Sequence, residues 1–302
     1  MTALSSCETL VTDIPEARLS KTTSSLVVHS FISPQSPRIN VVVSESIPLF
    51  SNSDEKEGII KNALVKISDE TNEVILPFDA KSGLYSIDQN KFKIVASKSY
   101  SLYVSDGTRE VTAHCTVPGN TPIIKSYELD KVVSNPFWHQ DTALTLKMSW
   151  HDIPADTNYY RVRAWAEIEY SVPDPTTKEK RVRNEFSFAW EETSGRSEWQ
   201  SDHGLDGSLF SSPTGRVSMP SFPPVNSVDG DPKPFYAKCR LIVLTMMVYN
   251  ADVNYFKYHR SLQQRLDTEN PFTEPSIIYT NIKGGLGCFG AYNLGKLTYQ
   301  PD

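Results

Sequence analysis

The sequence predicts a mainly β protein of two packed units with one helix in its second half. Three observations carry that expectation. Short runs rich in Val, Ile, Tyr and Phe recur along the chain between turn-forming residues, and many alternate apolar with polar positions. Twenty prolines, 14 tyrosines, 13 phenylalanines and 5 tryptophans favour a turn-rich, aromatic-rich sheet protein over a helical one. One stretch alone, near 252–266, repeats its apolar residues with helical period. At 302 residues the chain can bury two cores of ordinary domain size.

In chain order, residues 1–25 read as a leader and tether. Leu4-Ser5-Ser6-Cys7 matches the box at which a bacterial lipoprotein signal is cut and its cysteine acylated. Residues 8–25 are polar and aperiodic, as a tether would be. Cys7 is therefore the expected lipid anchor, with a free thiol on a polar tail as the alternative. From 26 to 118 seven short strands are expected, at Leu26–Ile32, Arg38–Ser44, Ala63–Ser68, Glu73–Leu76, Leu84–Ile87, Ser99–Ser105 and Arg109–Val117. Asp106-Gly107 suits a hairpin turn, and Pro48–Lys61 reads as a solvated insertion. Such a set makes a small antiparallel β-sandwich. Pro118-Gly119-Asn120-Thr121-Pro122 reads as the boundary to a second β-rich domain over 119–302.

That second domain opens with Ile123–Leu129 and a clean alternation, Leu144, Leu146, Met148 and Trp150 against Thr145, Lys147 and Ser149. Asn158–Ser171 continues with Tyr160, Val162, Ala164, Ala166, Ile168 and Tyr170 inward, and forms a long hairpin with Val182–Glu192. The hairpin tip carries Lys178, Lys180, Arg181 and Arg183, read as a solvated end before an anion-binding finger. Residues 194–235 show no period and hold six prolines, so they are expected to be irregular and to offer a partner surface. A strand over Tyr236–Tyr249 and a helix over 252–266 follow, the helix with Tyr255, His259, Leu262 and Leu266 on one face. At the end, Ile277, Ile278 and Tyr279 are expected to form a closing strand beside the glycine cluster of Gly284, Gly285, Gly287 and Gly290. The literal G-x-G-x-x-G at Gly285, Gly287 and Gly290 has only a dozen residues after it and cannot open a dinucleotide-binding unit.

Charge and motifs narrow the function classes. A net charge of −6 gives no broad basic field for nucleic acid. The longest near-apolar run, Leu241–Tyr249, is far short of the ~20 residues of a membrane helix. No H-E-x-x-H, G-x-S-x-G, P-loop or EF-hand spacing occurs, so no catalytic residue, metal site or cofactor is expected. Cys7, Cys115, Cys239 and Cys288 are too scattered for a metal site, and a disulfide among the last three stays open. Ser201-Asp202-His203 are adjacent on an extended chain and cannot make a triad by themselves. Asp202 and Asp206, with Asp229 and Asp231, are read first as turn formers and second as oxygen ligands for calcium. Among the aromatics, Trp138, Trp165 and Trp199 are candidates for a ligand-contacting surface, with packing as the competing role. Asp202, Asp206, Trp165 and Trp199 are thus the candidate binding residues.

The ending from Asn270 to Asn293, NPFTEPSIIYTNIKGGLGCFGAYN, resembles the C-terminal signature of a Bacteroidota lipoprotein family known as a domain of unknown function, number 4249 in that series. The Leu-Ser-Ser-Cys-Glu start, Pro37–Ser44, Asn158–Val162, the Ser201-Asp202 to Asp206-Gly207 loop and the Tyr255–Leu262 helix agree with it. The resemblance implies an immunoglobulin-like or transthyretin-like N-terminal sandwich and an outer-membrane lipoprotein of the cell envelope. It also implies an accessory role beside a TonB-dependent transporter. Only Glu8 stands where surface-exported lipoproteins carry an acidic run, so either membrane face fits. The expectation is a lipid-anchored accessory or binding protein rather than an enzyme. A glycan- or peptide-acting hydrolase using Asp202 and Asp206 is the alternative, and a structural envelope module is the third reading.

Overall fold

The structure is a computed structural model that describes residues 24–47, 58–134, 141–174, 176–192, 197–220, 225–226, 232–233, 238–266 and 277–301. Cys7 with its tether, most of the Pro48–Lys61 insertion, Trp138, His139, Asp229, Asp231 and the Asn270–Ser276 entry lie outside the described residues. The first unit contains β1 (Leu26–Ile32), β2 (Arg38–Glu45), β3 (Leu64–Ser68), β4 (Glu73–Ile75), β5 (Phe78–Asp79), β6 (Leu84–Asp88), β7 (Ser99–Ser105) and β8 (Glu110–Thr116). The second contains β9 (Ile124–Ser134), β10 (Asp141–His151), β11 (Tyr159–Asp174), β12 (Lys178–Ser187), β13 (Ala189–Trp190), β14 (Trp199–Ser201), β15 (Leu209–Ser211) and β16 (Gly215–Ser218). The short pair β17 (Val225–Asn226) and β18 (Pro232–Lys233) follows, then β19 (Cys239–Ala251), helix α1 (Val253–Leu266) and β20 (Leu286–Tyr299).

The fold is mainly β with a single helix among the described residues, as the alternations predict. A four-stranded sheet, β4-β3-β7-β8, shares one core with β1, β2 and β6, filled by Val28, Ile39, Val65, Ile67, Leu102, Val104 and Val111. A five-stranded sheet built on β10, β9, β13, β15 and β16 shares a second core with β11 and β19. There the rings of Trp150, Tyr160 and Phe210 pack with centroids within 6 Å of one another, in one cluster with Val162, Ala164, Leu244 and Met246. The period-2 pattern dictates both: each strand sends one face inward.

One sheet runs through both units, in the order β12-β11-β19-β20-β1-β2-β6-β5, with β14 beside β11. Its hinge is β20. Val27↔Leu286 to Ile32↔Ala291 pair it in parallel with β1, while Leu244↔Tyr299 to Ala251↔Tyr292 pair it antiparallel with β19. Phe289, Ala291 and Ile282 are consequently part of the first core, although they come from the end of the chain.

Two expectations are corrected here. Ile277–Tyr279 is not a strand; the glycine-rich segment after it is. Strand propensity in this run loses to tertiary contacts, because Tyr279 is tied to α1 through its N–H to Ser261 Oγ (2.9 Å) and its hydroxyl to Asn254 Oδ1 (2.8 Å). Glycine makes the replacement strand feasible. Gly287 has φ +106°, and a Cβ there would lie 2.1 Å from the Val28 carbonyl oxygen of β1. The 194–235 stretch is the second correction. Its described residues form short strands that seal the second core, with Phe210, Val217 and Met219 buried. Three- and four-residue strands carry too few alternations to be read.

The two arginines of the basic hairpin tip are paired. Arg181 and Arg183 pair with Glu169, Arg183 with Glu167, Arg240 with Glu169, and Lys238 with Glu179, all at 3.4–3.8 Å. This disposes of an anion-binding finger on those arginines.

Candidate functional site

β11 buries Tyr160, Val162 and Ala164 in the second core, and its alternation turns Tyr159, Arg161, Arg163 and Trp165 to the opposite face. Helix α1 and β14 cover the start of that face. Asp252 begins the helix: its Oδ1 accepts the Tyr255 N–H at 2.8 Å, and its own N–H donates to Ala291 O of β20 at 2.8 Å. Burial pushes the Asp252 carboxyl up to about 6, against the downward pull of its hydrogen bonds. Gly290 of β20 lets the helix sit close, since a Cβ there would meet Tyr255 backbone at 3.0 Å.

The covered residues form a third cluster of Trp199, Ala251, Tyr255 and Phe256, joined by Phe31, Tyr159 and Tyr292. Arg161 enters it from β11. Its guanidinium lies 4.2 Å from the centre of the Trp199 ring, donates through Nη1 to Tyr255 Oη (3.0 Å) and reaches Glu198 Oε1 through Nη2 (3.3 Å). His259 stacks on Trp199 with centroids 5.6 Å apart and planes 17° from parallel. Burial, and then the cations of Arg161 and Arg163, push His259 down to about 3, so its imidazole is neutral near pH 7.

A groove of about 340 Å³ opens along this cluster, lined by Arg161, Trp190, Glu192, Glu198, Trp199, His259, Leu262 and Gln263. Trp190 reaches it from β13 over Gly215, and Gln263 donates to Glu192 Oε1 at 3.1 Å. Its walls hold an unusual share of orphaned polar atoms. Among the described residues, the buried side-chain atoms without a hydrogen-bond partner are Ser30 Oγ, Trp150 Nε1, Arg161 Nε, Trp190 Nε1, Trp199 Nε1 and His259 Nε2. The last four belong to groove residues. Each such atom costs a fold about 1–3 kcal/mol, and native proteins leave few of them. These four atoms are buried behind the groove wall and not on its surface. Among the described residues no hydroxyl, thiol or amine nucleophile lines the groove, and each carboxylate has a protein partner, Glu198 in Arg161 and Glu192 in Gln263.

The sequence-derived candidates separate. Trp199 is in the groove wall, yet only 5% exposed, because Arg161 and His259 cover its ring; packing, the competing role named for it, is the one the structure gives. Trp165 is half-buried, with the Arg163 guanidinium 5.4 Å from its ring, and is absent from the groove lining. Asp202 and Asp206 do come together, and Asp152 joins them, with carboxylate oxygens within 4.8 Å of one another. Three carboxylates so placed could begin an oxygen shell for a cation. In the fold they tie loops: Asp152 accepts from Tyr160 Oη (2.8 Å) and Gly207 N (2.7 Å), Asp202 from Asn158 N (2.9 Å), and Asp206 from Ala155 N (2.9 Å). Asp202 is buried while His203 is exposed, so the two do not face each other. Cys115 and Cys288 are free thiols, and burial pushes both up, away from reactivity.

A family pattern described as Domain of unknown function (DUF4249) matches residues 8–298. The chain belongs to the DUF4249 family. No curated protein matches it. Among solved structures, this DUF4249 chain is similar to the C-terminal globular domain of an oligosaccharyltransferase from Pyrococcus abyssi, at 9% identity over 92% of its length, with a TM-score of 0.15. It spans 48% of that chain, and a likeness so slight bears on neither fold nor function. Sequence reasoning missed Arg161, Trp190, Glu192, Glu198 and Gln263 of the DUF4249 groove, and gave His259 only a place on the helix face. The available signal was Arg161 itself, an arginine in a strand flanked by apolar residues that needs a covering element to explain it.

Proposed function

We propose that this DUF4249 chain is a non-catalytic binding protein, anchored to the outer membrane through acylated Cys7, that acts as accessory to a TonB-dependent transporter. One observation carries the binding reading: a groove of about 340 Å³ lined by rings, a guanidinium and two carboxylates. The anchor and the transporter rest on Leu4-Ser5-Ser6-Cys7 and on the family resemblance. A helix long and apolar enough to cross a membrane is absent among the described residues.

The protein purified from its own envelope tests each part. Intact mass should show a fatty-acylated cysteine at residue 7, and mild-detergent isolation should bring a TonB-dependent transporter with it. Native mass spectrometry should find a small-molecule adduct on the wild-type chain, reduced about tenfold in Glu198→Gln, as loss of a charged hydrogen-bond acceptor implies. An adduct equally abundant in the variant, or none on the wild type, would leave a structural envelope module as the better reading.

A further inference from the structure

We propose that the end of the first unit from which the tether leaves rests on the lipid surface, with Ile47, Leu64 and Leu286 entering its headgroup region; this rests on the acylated Cys7 of the reading above. The strand directions define that pole. β1 and β20 are parallel and both begin there, at Leu26 and Leu286, and β2, antiparallel to β1, ends there at Glu45. On the facing sheet β3 begins and β7 ends at the same pole, since Leu64 pairs with Ser105, and β8 starts at Glu110 opposite Ser105. Two glycines bring the sheets together at this end. A Cβ on Gly284 would lie 2.7 Å from the Glu110 carbonyl oxygen, and one on Gly285 would lie 2.5 Å from that of Leu26. From the pole β20 runs away to Tyr299, which pairs with Leu244, so the second unit lies at the far end of the strand.

The chain is fastened at this pole where it leaves the tether. Arg109 Nη1 donates to Ser24 O (3.0 Å), Ser24 Oγ (3.1 Å) and Glu45 Oε1 (2.8 Å), while its Nε and Nη2 hold Asp106 Oδ2 at 2.8 and 2.7 Å. Ser25 N donates to Ser46 Oγ (2.8 Å), and Ser46 N to Ser25 O (2.9 Å). Ser24 is therefore a fixed point of the fold, and residues 8–23 separate it from the acylated cysteine by at most about 55 Å. A contact between pole and bilayer is then intramolecular, at the raised effective concentration that a short link gives. What the pole presents fits an interface. Ile47, Leu64 and Leu286 are 54%, 40% and 45% exposed, and they come from strand ends of both sheets. Exposed Lys61 and Lys283 precede Leu64 and Leu286 by one short turn of chain each. Arg109 pairs with Glu45 and Asp106, which leaves Glu110 as the exposed acid among the described residues there. Aliphatic side chains beside lysines enter the boundary between headgroups and acyl chains, the amines staying in water.

The test uses the full chain purified from its own envelope and reconstituted into vesicles, with Cys7 blocked by its fatty acid and Cys115 and Cys288 buried. On a Cys239→Ser background, Leu64→Cys, Leu286→Cys and Leu209→Cys are each labelled with an environment-sensitive fluorophore. Leu209, 59% exposed in the second unit, is the control. Labels at 64 and 286 should shift to the blue on reconstitution and lose intensity when the lipid acyl chains carry bromine, as groups about 5–10 Å into the boundary do. The label at 209 should do neither. Pole labels that brominated lipid leaves unquenched overturn the inference, and a blue shift without quenching would assign the cover to protein, such as a second copy. Intact mass separates this inference from the reading beneath it. Unquenched labels on a chain that carries its fatty acid remove the docking pole alone, whereas a chain without fatty acid on Cys7 removes the anchor and the pole together.

Discussion

Asp252 and His259 sit seven residues apart in and before one helix, and burial moves them in opposite directions along the pH scale. For Asp252 the folded-state value, about 6, lies above the ordinary 3.8. Its contribution is therefore complete below pH 3.8 and is lost as pH rises through 6, by about 3 kcal/mol at 1.36 kcal/mol per unit. His259, held near 3 instead of 6.5, does the reverse: its contribution is complete above pH 6.5 and is lost as pH falls toward 3. The two slopes oppose each other between pH 4 and 6, so a difference measurement is needed to see either. Asp252→Asn keeps a capping oxygen and removes the titration. Urea unfolding at pH 4 and pH 7 should show the variant gaining about 2–3 kcal/mol on the wild type across that interval. An unchanged difference at both pH values would contradict the burial of this carboxylate.

At the scale of elements, β20 decides the most. Gly287→Ala must either abandon φ +106° or drive a methyl group into the Val28 carbonyl, and the loss should exceed about 3 kcal/mol by denaturant midpoint. Gly290→Ala has only to shift α1 by tenths of an ångström, and should cost about 1 kcal/mol while disturbing the nuclear magnetic resonance signals of His259 and Trp199 in the groove. These elements also show what was legible. β1 and β7 were readable to the residue, and β10 and the inward face of β11 were readable by alternation, because a half-buried strand writes its burial into every second position. The helix was readable for the same reason at a longer period. The parallel pairing of β1 with β20 was not, since no local pattern specifies a partner some 260 residues away. The groove was hidden likewise. Arg161, Glu198 and His259 come from a strand, a loop and a helix, and each alone resembles an ordinary surface or half-buried residue. Asp202 and Asp206 were legible as neighbours, whereas Asp152, fifty residues earlier, needed the fold to join them.

For the whole molecule, the through-running sheet predicts cooperative unfolding. All five tryptophans lie between 138 and 199, so tryptophan fluorescence reports on the second unit alone, while circular dichroism reports on both. Phe289 is fully buried in the first core. Phe289→Ala should destabilise by about 3–5 kcal/mol and shift the fluorescence transition as far as the dichroism transition. Two separated transitions, with fluorescence unmoved, would mean that the units melt independently despite sharing β20. That sharing also bears on synthesis. The amino-terminal sandwich lacks its neighbour for β1 until residues 286–291 have been made, so nascent chains stalled before that point should remain protease-sensitive in that sandwich, and its native closure should wait for those residues.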